Sequence, residues 1–274
     1  MSDTTTGTRI DVAAVTAHIC SKIREATVIR EPWPHLVIEE FLPPQVFDAL
    51  VGALPEEWLR MNSADPRSWI VVNPDCSLTH SEDASKAAWE GQERGRPVIR
   101  DVFAAIGHGR ELLSALRDLL KTELREALAL FKARYEKQEV KIRQSTRVMR
   151  DAARYTLSPH TDVPGKLVSI VLYLRADEGA RLGTILYEPV QEGFTCKGLT
   201  YHDVNLFRAI SMVPFTPNSA FVFVRTDRTF HGVRFETGGS APFSRVTLQS
   251  NFWLGDEQSL NNPARRTESG TADS

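Results

Sequence analysis

The stretch "SPHTDVPGKLVSIVLYL", residues 158–174, sets His160 and Asp162 one residue apart and then runs into apolar, β-branched residues. Side chains alternate along an extended chain, so His160 and Asp162 lie on the same side of it. The run that follows, 166–175, reads as a strand. Imidazole and carboxylate are both good metal ligands, and a strand beside them is a rigid support. A lone His-x-Asp pair usually marks only a surface turn. The meaning of this pair therefore depends on what the rest of the chain places around it.

Further strand-like runs cover 138–149, 183–189, 208–214, 219–225, 230–236 and 243–254, separated by Pro, Gly, Asn and Asp. No convincing helix interrupts them after about residue 136. Many short strands with turn punctuation indicate a sandwich or barrel. The earlier part reads as mostly helical. "DVAAVTAHICSKIREA" (11–26) sets Val15, Ile19 and Ile23 on one face. "HLVIEEFL" (35–42) reads as a short strand, and Pro43 and Pro44 then lead into a helix, "QVFDALVGAL" (45–54). Residues 110–133 carry the strongest amphipathic pattern, through Leu112, Leu116, Leu120, Leu124, Leu128 and Phe131. "GHGRELL" (107–113) lacks the third Gly of a dinucleotide fingerprint, and a turn into this helix explains it. The expected fold is α+β with a mainly β core. One domain spans 9–257, with helical support at 9–135 and the β core at 136–257, between polar tails at 1–8 and 258–274.

The bulk composition excludes several partners. The 33 basic and 35 acidic residues of this 274-residue chain nearly cancel, which gives no reason to expect nucleic acid or a membrane surface. No apolar run is long enough to span a bilayer, and no signal peptide is evident. Cys20, Cys76 and Cys196 are far apart and form neither a CxxC pair nor a disulfide framework, which fits a reducing cytoplasm. A small-molecule substrate is the expected partner.

A third metal ligand has to come from elsewhere in the β core. Of the seven histidines, at 18, 35, 80, 108, 160, 202 and 231, only His160, His202 and His231 fall in the β-rich half. His202 sits in the loop-like "GLTYHDVN" (198–205). His231 opens a strand in "RTFHGVRF" (228–235), directly after the strand "AFVFVRTD" (220–227). Arg245 follows on the next strand, in "FSRVTLQSNFW" (243–253). Two His and one carboxylate on one face of a metal suit a non-haem Fe(II) with open positions opposite. An Arg one strand later suits a planar carboxylate, which it can hold bidentately.

Taken together, "RYTLSPHTDVPGKLVSIVLYL" (154–174), "GTILYEP" (183–189), "NSAFVFVRTDRTFHGV" (218–233) and "SRVTLQSNFW" (244–253) resemble the Fe(II)- and 2-oxoglutarate-dependent dioxygenases. The likeness is to their prolyl-hydroxylase-like branch and covers about residues 33–255. "PWPHLVIEEFLPPQVFDAL" (32–50) looks like the opening segment of many bacterial members. The resemblance implies a double-stranded β-helix, or jelly roll, flanked by the N-terminal helices. It implies that His160, Asp162 and His231 bind Fe(II), with no catalytic group needed beyond the metal centre. Arg245 would pair with the distal carboxylate of 2-oxoglutarate, with Thr247 and Tyr173 as further co-substrate contacts. O₂ is the other reactant, and an unactivated C–H bond becomes an alcohol as 2-oxoglutarate loses CO₂ to give succinate. Related halogenases carry a small residue in place of the carboxylate. Asp162 therefore argues for oxygenation, although desaturation or cyclisation uses the same triad.

The substrate is less legible. Lys166 opens the strand after the His-x-Asp pair and points toward the mouth of the site. Arg150 and Arg154 precede that pair, and all three also suit solvent-facing roles. The segment 190–210 is long enough to form a lid carrying Phe194, His202, Asn205 and Arg208. A small polar metabolite, such as an amino acid or sugar derivative, is the expected target. Hydroxylation of a protein side chain, as in the prolyl hydroxylases, is one rival reading. A non-catalytic β-sandwich that keeps only the metal site is another.

Overall fold

The computed structural model describes residues 10–60, 67–81, 89, 95–107, 109–136, 139–152, 155–176, 183–198, 200–234 and 244–255. Three strands precede the β core: β1 (His35–Ile38), β2 (Arg67–Val72) and β3 (Leu78–His80). The core itself is β4 (Ile142–Ala152), β5 (Leu157–His160), β6 (Lys166–Ala176), β7 (Thr184–Pro189), β8 (Phe207–Val213), β9 (Ala220–Val224), β10 (His231–Val233) and β11 (Ser244–Leu254). They form a seven-stranded sheet, ordered β1-β9-β6-β11-β4-β2-β3, and a four-stranded sheet, ordered β5-β10-β7-β8. Every pairing within them is antiparallel.

The larger sheet separates two environments by simple alternation. On one face, Val148, Val168, Ile170, Leu172, Val222, Val246, Leu248 and Phe252 join the main apolar core with the helices. Each such side chain contributes about 1.5–3 kcal/mol on burial. On the other face, Tyr173, Phe221 and Phe223 meet Leu186 and Val213 of the smaller sheet. That second contact holds the two sheets face to face. The space between them is where a site can form.

The helices are α1 (Val12–Glu25), α2 (Pro44–Gly52), α3 (Glu56–Arg60), α4 (Arg96–Ile106), α5 (Gly109–Leu119) and α6 (Lys121–Tyr135). Asp11 caps α1 by accepting the Ala14 N–H at 3.1 Å, and Val15, Ile19 and Ile23 are buried as their spacing predicts. Among the described residues, no helix is long and apolar enough to cross a membrane.

Three expectations need correction. Residues 110–133 do not make one helix, because the chain bends at Leu120 (φ −115°, ψ 34°). The bend lets α5 pack on α1 while α6 packs on β6 and β9, and a straight rod would reach only one of these. Second, the part read as mostly helical supplies, besides the expected strand β1, two further strands, β2 and β3. In β2, Ser68, Ile70 and Val72 are buried in strict alternation, a short period-two signal that lies among helical patterns. Third, β1 stops at Ile38 rather than at residue 42, because Glu40 turns the chain with φ 48°. The tails at 1–8 and 258–274 and Arg154 lie outside the described residues.

Candidate metal centre and its cavity

His160 closes β5 and His231 opens β10, and the two residues are directly opposed in the antiparallel pair. Their ring centroids stand 4.4 Å apart. Gly232 allows this approach: a Cβ there would lie 2.4 Å from the Leu157 carbonyl oxygen. Asp162 follows in the turn after β5. One ligand atom from each of His160, Asp162 and His231 lies within 4.8 Å of the others. All three residues are 8% exposed.

The imidazoles are oriented by the backbone. His160 Nδ1 lies 2.9 Å from the Ser158 carbonyl oxygen, and His231 Nδ1 lies 3.0 Å from that of Thr229. A carbonyl oxygen only accepts, so both Nδ1 atoms carry the proton and both Nε2 atoms carry the lone pair. This is the arrangement by which proteins present histidine to a metal. Burial, and then the neighbouring His231, push His160 down to about 3. Burial likewise lowers His231. Both rings are therefore neutral near pH 7, as ligands must be.

Asp162 is the anionic member. Burial alone would raise its carboxyl, but the Lys166 ammonium beside it leads the effects that outweigh burial and hold it well below the usual carboxylate range. Lys166 Nζ donates to Oδ1 at 2.9 Å, and Ser169 Oγ donates to Oδ2 at 2.9 Å. Each oxygen keeps a further lone pair. Ligands bound at about 2.1 Å in neighbouring positions of a metal sit roughly 3 Å apart. Two neutral imidazole nitrogens and a carboxylate at this spacing fit a divalent transition metal.

The other end of the site is built from charge. Arg67, Asp151 and Arg245 stand in one row across β2, β4 and β11. Arg245 Nε donates to Asp151 Oδ2 at 2.9 Å. Arg67 meets the same carboxylate through Nε at 2.6 Å and Nη2 at 3.1 Å. Asp151 is fully buried, which alone would raise its carboxyl, but Arg245 and Arg67 together lower it. Thr247, two residues along β11, is 0% exposed, and its Oγ1 has no hydrogen-bond partner among the described residues. Tyr173 is fully buried behind the wall, where its hydroxyl shares a 2.8 Å hydrogen bond with Thr184 Oγ1.

A cavity of about 980 Å³ joins the two ends and is lined by the triad, Lys166, Thr184, His202 and Arg245. Several sequence candidates, Tyr173 and Thr247 among them, are not part of its lining. Arg150 is buried on the opposite face of the sheet, where its Nε donates to the Leu59 carbonyl at 3.1 Å. Strand alternation explains this, since Arg150 pairs in register with core-facing Val246. Asn205 lies in a 3₁₀ turn, Val204–Leu206, and its amide is tied to Asp203. Arg208 belongs to β8 and is exposed beside Glu188. Phe194 packs on Phe230 and Phe207.

The intended lid is shorter than expected, and it is fastened. Residues 207–213 are β8, leaving a strap of 190–206. The buried Arg225 donates through Nε to the Asp162 carbonyl at 2.9 Å and through Nη2 to that of Cys196 at 3.3 Å. Thr161 Oγ1 also donates to the Cys196 carbonyl, and His202 N–H donates to that of Pro159. Gly198, with φ +93°, crosses so close to Asp162 that a Cβ would lie 2.6 Å from its carbonyl oxygen. Tyr201 lies over His160, with ring centroids 5.2 Å apart. Sequence reading missed Ser169, Asp151, Arg67 and Arg225. Ser169 was available from alternation with Tyr173, but the other three require knowledge of strand register.

The sequence matches no family model and no curated protein. Among solved structures, the chain is similar to a prolyl 4-hydroxylase from Phytophthora capsici (17% identity, 94% of this chain and 68% of that one, TM-score 0.46). It is similar to HygX from Streptomyces hygroscopicus, solved with nickel and 2-oxoglutarate bound (16%, 80% and 82%, TM-score 0.42). It is also similar to a prolyl hydroxylase from Trichoplax adhaerens in complex with a hypoxia inducible factor peptide fragment (13%, 88% and 90%, TM-score 0.43). These likenesses are remote, and the functional reading rests on the site itself.

Proposed function

We propose that this chain is a 2-oxoglutarate-dependent, non-haem iron oxygenase that hydroxylates an unactivated C–H bond of a small polar metabolite. One observation carries the reading. Two imidazole lone pairs and a carboxylate converge in a cavity that also presents the buried Arg245. A metal site alone would need no such arginine. A jelly-roll core agrees with the strand order. Strands β4, β5, β6 and β7 alternate between the two sheets, and so do β8, β9, β10 and β11.

His160, Asp162 and His231 would hold Fe(II), and Arg245 would receive the distal carboxylate of 2-oxoglutarate. Bound iron and co-substrate supply the O₂-activating chemistry, in which 2-oxoglutarate is decarboxylated and one oxygen atom enters the substrate. The chain's own residues do the positioning. Ser158 and Thr229 carbonyls keep both Nε2 atoms aimed at one point. Asp151 holds the Arg245 guanidinium in one orientation. The buried hydroxyl of Thr247, two residues along β11 from Arg245, has no partner among the described residues, and a carboxylate oxygen would satisfy it. Val171, Phe221, Phe223 and Val233 line the cavity with apolar surface that excludes water.

The strap fastened along the cavity favours a small substrate. A protein side chain is the second reading, favoured by one observation. Tyr201, Val204, Leu206, Ile210 and Met212 are exposed in sequence along the strap and β8. Mixing the protein anaerobically with Fe(II) and 2-oxoglutarate should give a visible metal-to-ligand charge-transfer band that His160→Ala lacks. A wild-type protein with neither the band nor Fe(II)-dependent succinate release would refute the oxygenase reading.

A further inference from the structure

We propose that the cavity selects a substrate bearing a carboxylate or phosphate, and that Arg147 on β4 receives that group; this rests on the oxygenase reading above. The argument begins with charge. Arg67, Arg147, Lys166, Lys197 and Arg245 line the cavity. The carboxylates set against them are Asp162, paired with Lys166, and Asp151, shared by Arg67 and Arg245. Five cations less two carboxylates leave an excess of +3. Fe(II) brings +2 and 2-oxoglutarate brings −2, so the excess survives their binding. Arg147 and Lys197 have no carboxylate within ion-pair distance among the described residues.

Position separates Arg147 from the co-substrate end. It pairs in register with Gln249, whereas Arg245 pairs with Asp151. Four residues of strand between those rows span about 13 Å. Arg147 stands instead near the row of the metal ligands. Asn251, two residues on from Gln249, pairs with Ser169, the hydroxyl that donates to Asp162. Asn251 is 2% exposed, lines the cavity, and its Nδ2 donor has no partner among the described residues. Arg147 and Asn251 thus present N–H donors from neighbouring strands on one wall. A guanidinium fork with an amide donor beside it recognises an oxyanion and offers a neutral hydroxyl much less. Trp69 flanks the guanidinium at 6.0 Å. Burial, and then the charge of Arg67, push Arg147 below its ordinary range, and the charge of Asp162 offsets them only in part. An arriving anion would relieve both effects. Lys197, exposed on the strap at the rim, would draw the same charge inward.

The test uses the anaerobic Fe(II) and 2-oxoglutarate complex of the full chain, with matched probes that differ in one ionised group. L-Glutamate is compared with L-glutamine, and glucose 6-phosphate with glucose. Binding is read as a perturbation of the charge-transfer band and, independently, as a thermal shift of the complex. The anionic member of at least one pair should bind about ten-fold or more tightly than its neutral partner. The pair that responds tells carboxylate from phosphate. Arg147→Gln should abolish that preference while changing 2-oxoglutarate affinity less than about two-fold, and Lys197→Gln, at an exposed site, should reduce it about two- to three-fold. Equal binding of both members, or no anionic probe binding at millimolar concentration, would overturn the proposal. So would an Arg147→Gln protein that binds 2-oxoglutarate weakly and keeps the preference. A complex that never forms the band would sink the oxygenase reading as well, which is a different result from a band without charge selection.

Discussion

The two ends of the cavity are held by different physics. At the triad end, backbone carbonyls orient two neutral rings, and one carboxylate supplies the charge. At the Arg245 end, a buried carboxylate ties two arginines together across three strands. The first arrangement should keep its two rings in place when the carboxylate is removed, because backbone carbonyls orient them. The second should not hold in the same way, because each charge is the solvation of the others. The structural liability is therefore concentrated at the Arg245 end.

Removing one group at each end should separate these roles. Asp162→Ala should lower turnover at least about 10³-fold, since the metal is lost or misplaced. Metal content and succinate release measure this, and the fold should survive. Wild-type turnover in this variant would break the comparison at its strongest point. Asp151→Asn should do the reverse first, costing about 3–5 kcal/mol by leaving Arg67 and Arg245 without their carboxylate. Urea denaturation reads that loss, and an unchanged midpoint would mean the row does not behave as one charged unit.

An intermediate contrast appears on acidification of the metal-free protein. His160 is pushed down to about 3, and His231 is also lowered, so the folded chain binds fewer protons than the unfolded one. Unfolded histidines titrate near about 6.5, so this contribution is complete above that pH and is lost as pH falls toward 3. Asp151 is held below its usual range, so its contribution stands above about pH 4 and fades only below it. Denaturation midpoints should therefore fall in two windows, and His231→Gln should flatten the upper one. A midpoint that is level between about pH 7 and 5 contradicts the neutral-ring picture. The smallest effect is expected at Thr247→Val. It removes a buried hydroxyl that has no partner among the described residues, so the metal-free protein should be unchanged or slightly more stable, by under about 1 kcal/mol. Affinity for 2-oxoglutarate should nevertheless fall about three- to ten-fold. A destabilised variant with normal co-substrate affinity would give Thr247 a packing role only.

How far each end was legible follows from the same contrast. The triad end depends on short-range spacing. His160 and Asp162 sit two residues apart, and His231 opens a strand after the apolar run 220–224. Period-two alternation also puts Thr247, Gln249 and Asn251 on the face of Arg245. The Arg245 end depends on register between strands far apart in the chain. Nothing local to Arg67 or Asp151 shows that they stand in one row, and β2 was read as helical surroundings. Arg150 failed for the opposite reason. It is adjacent in sequence to Asp151 but faces the other way, and one residue of phase separates a cavity residue from a core residue.

The strap divides into parts with unequal freedom to vary. Its anchors are Cys196, held by Arg225 and Thr161, and Gly198, pressed on the Asp162 backbone. Because Arg225 also holds the Asp162 carbonyl, a change at the Cys196 anchor reaches Asp162 through a single side chain. Beyond them, Val204 and Leu206 are exposed and make none of those contacts, whereas Tyr201 rests on His160. Substitutions at Val204 and Leu206 leave every anchor untouched, so this part of the rim can change its shape and polarity while Asp162 keeps its place.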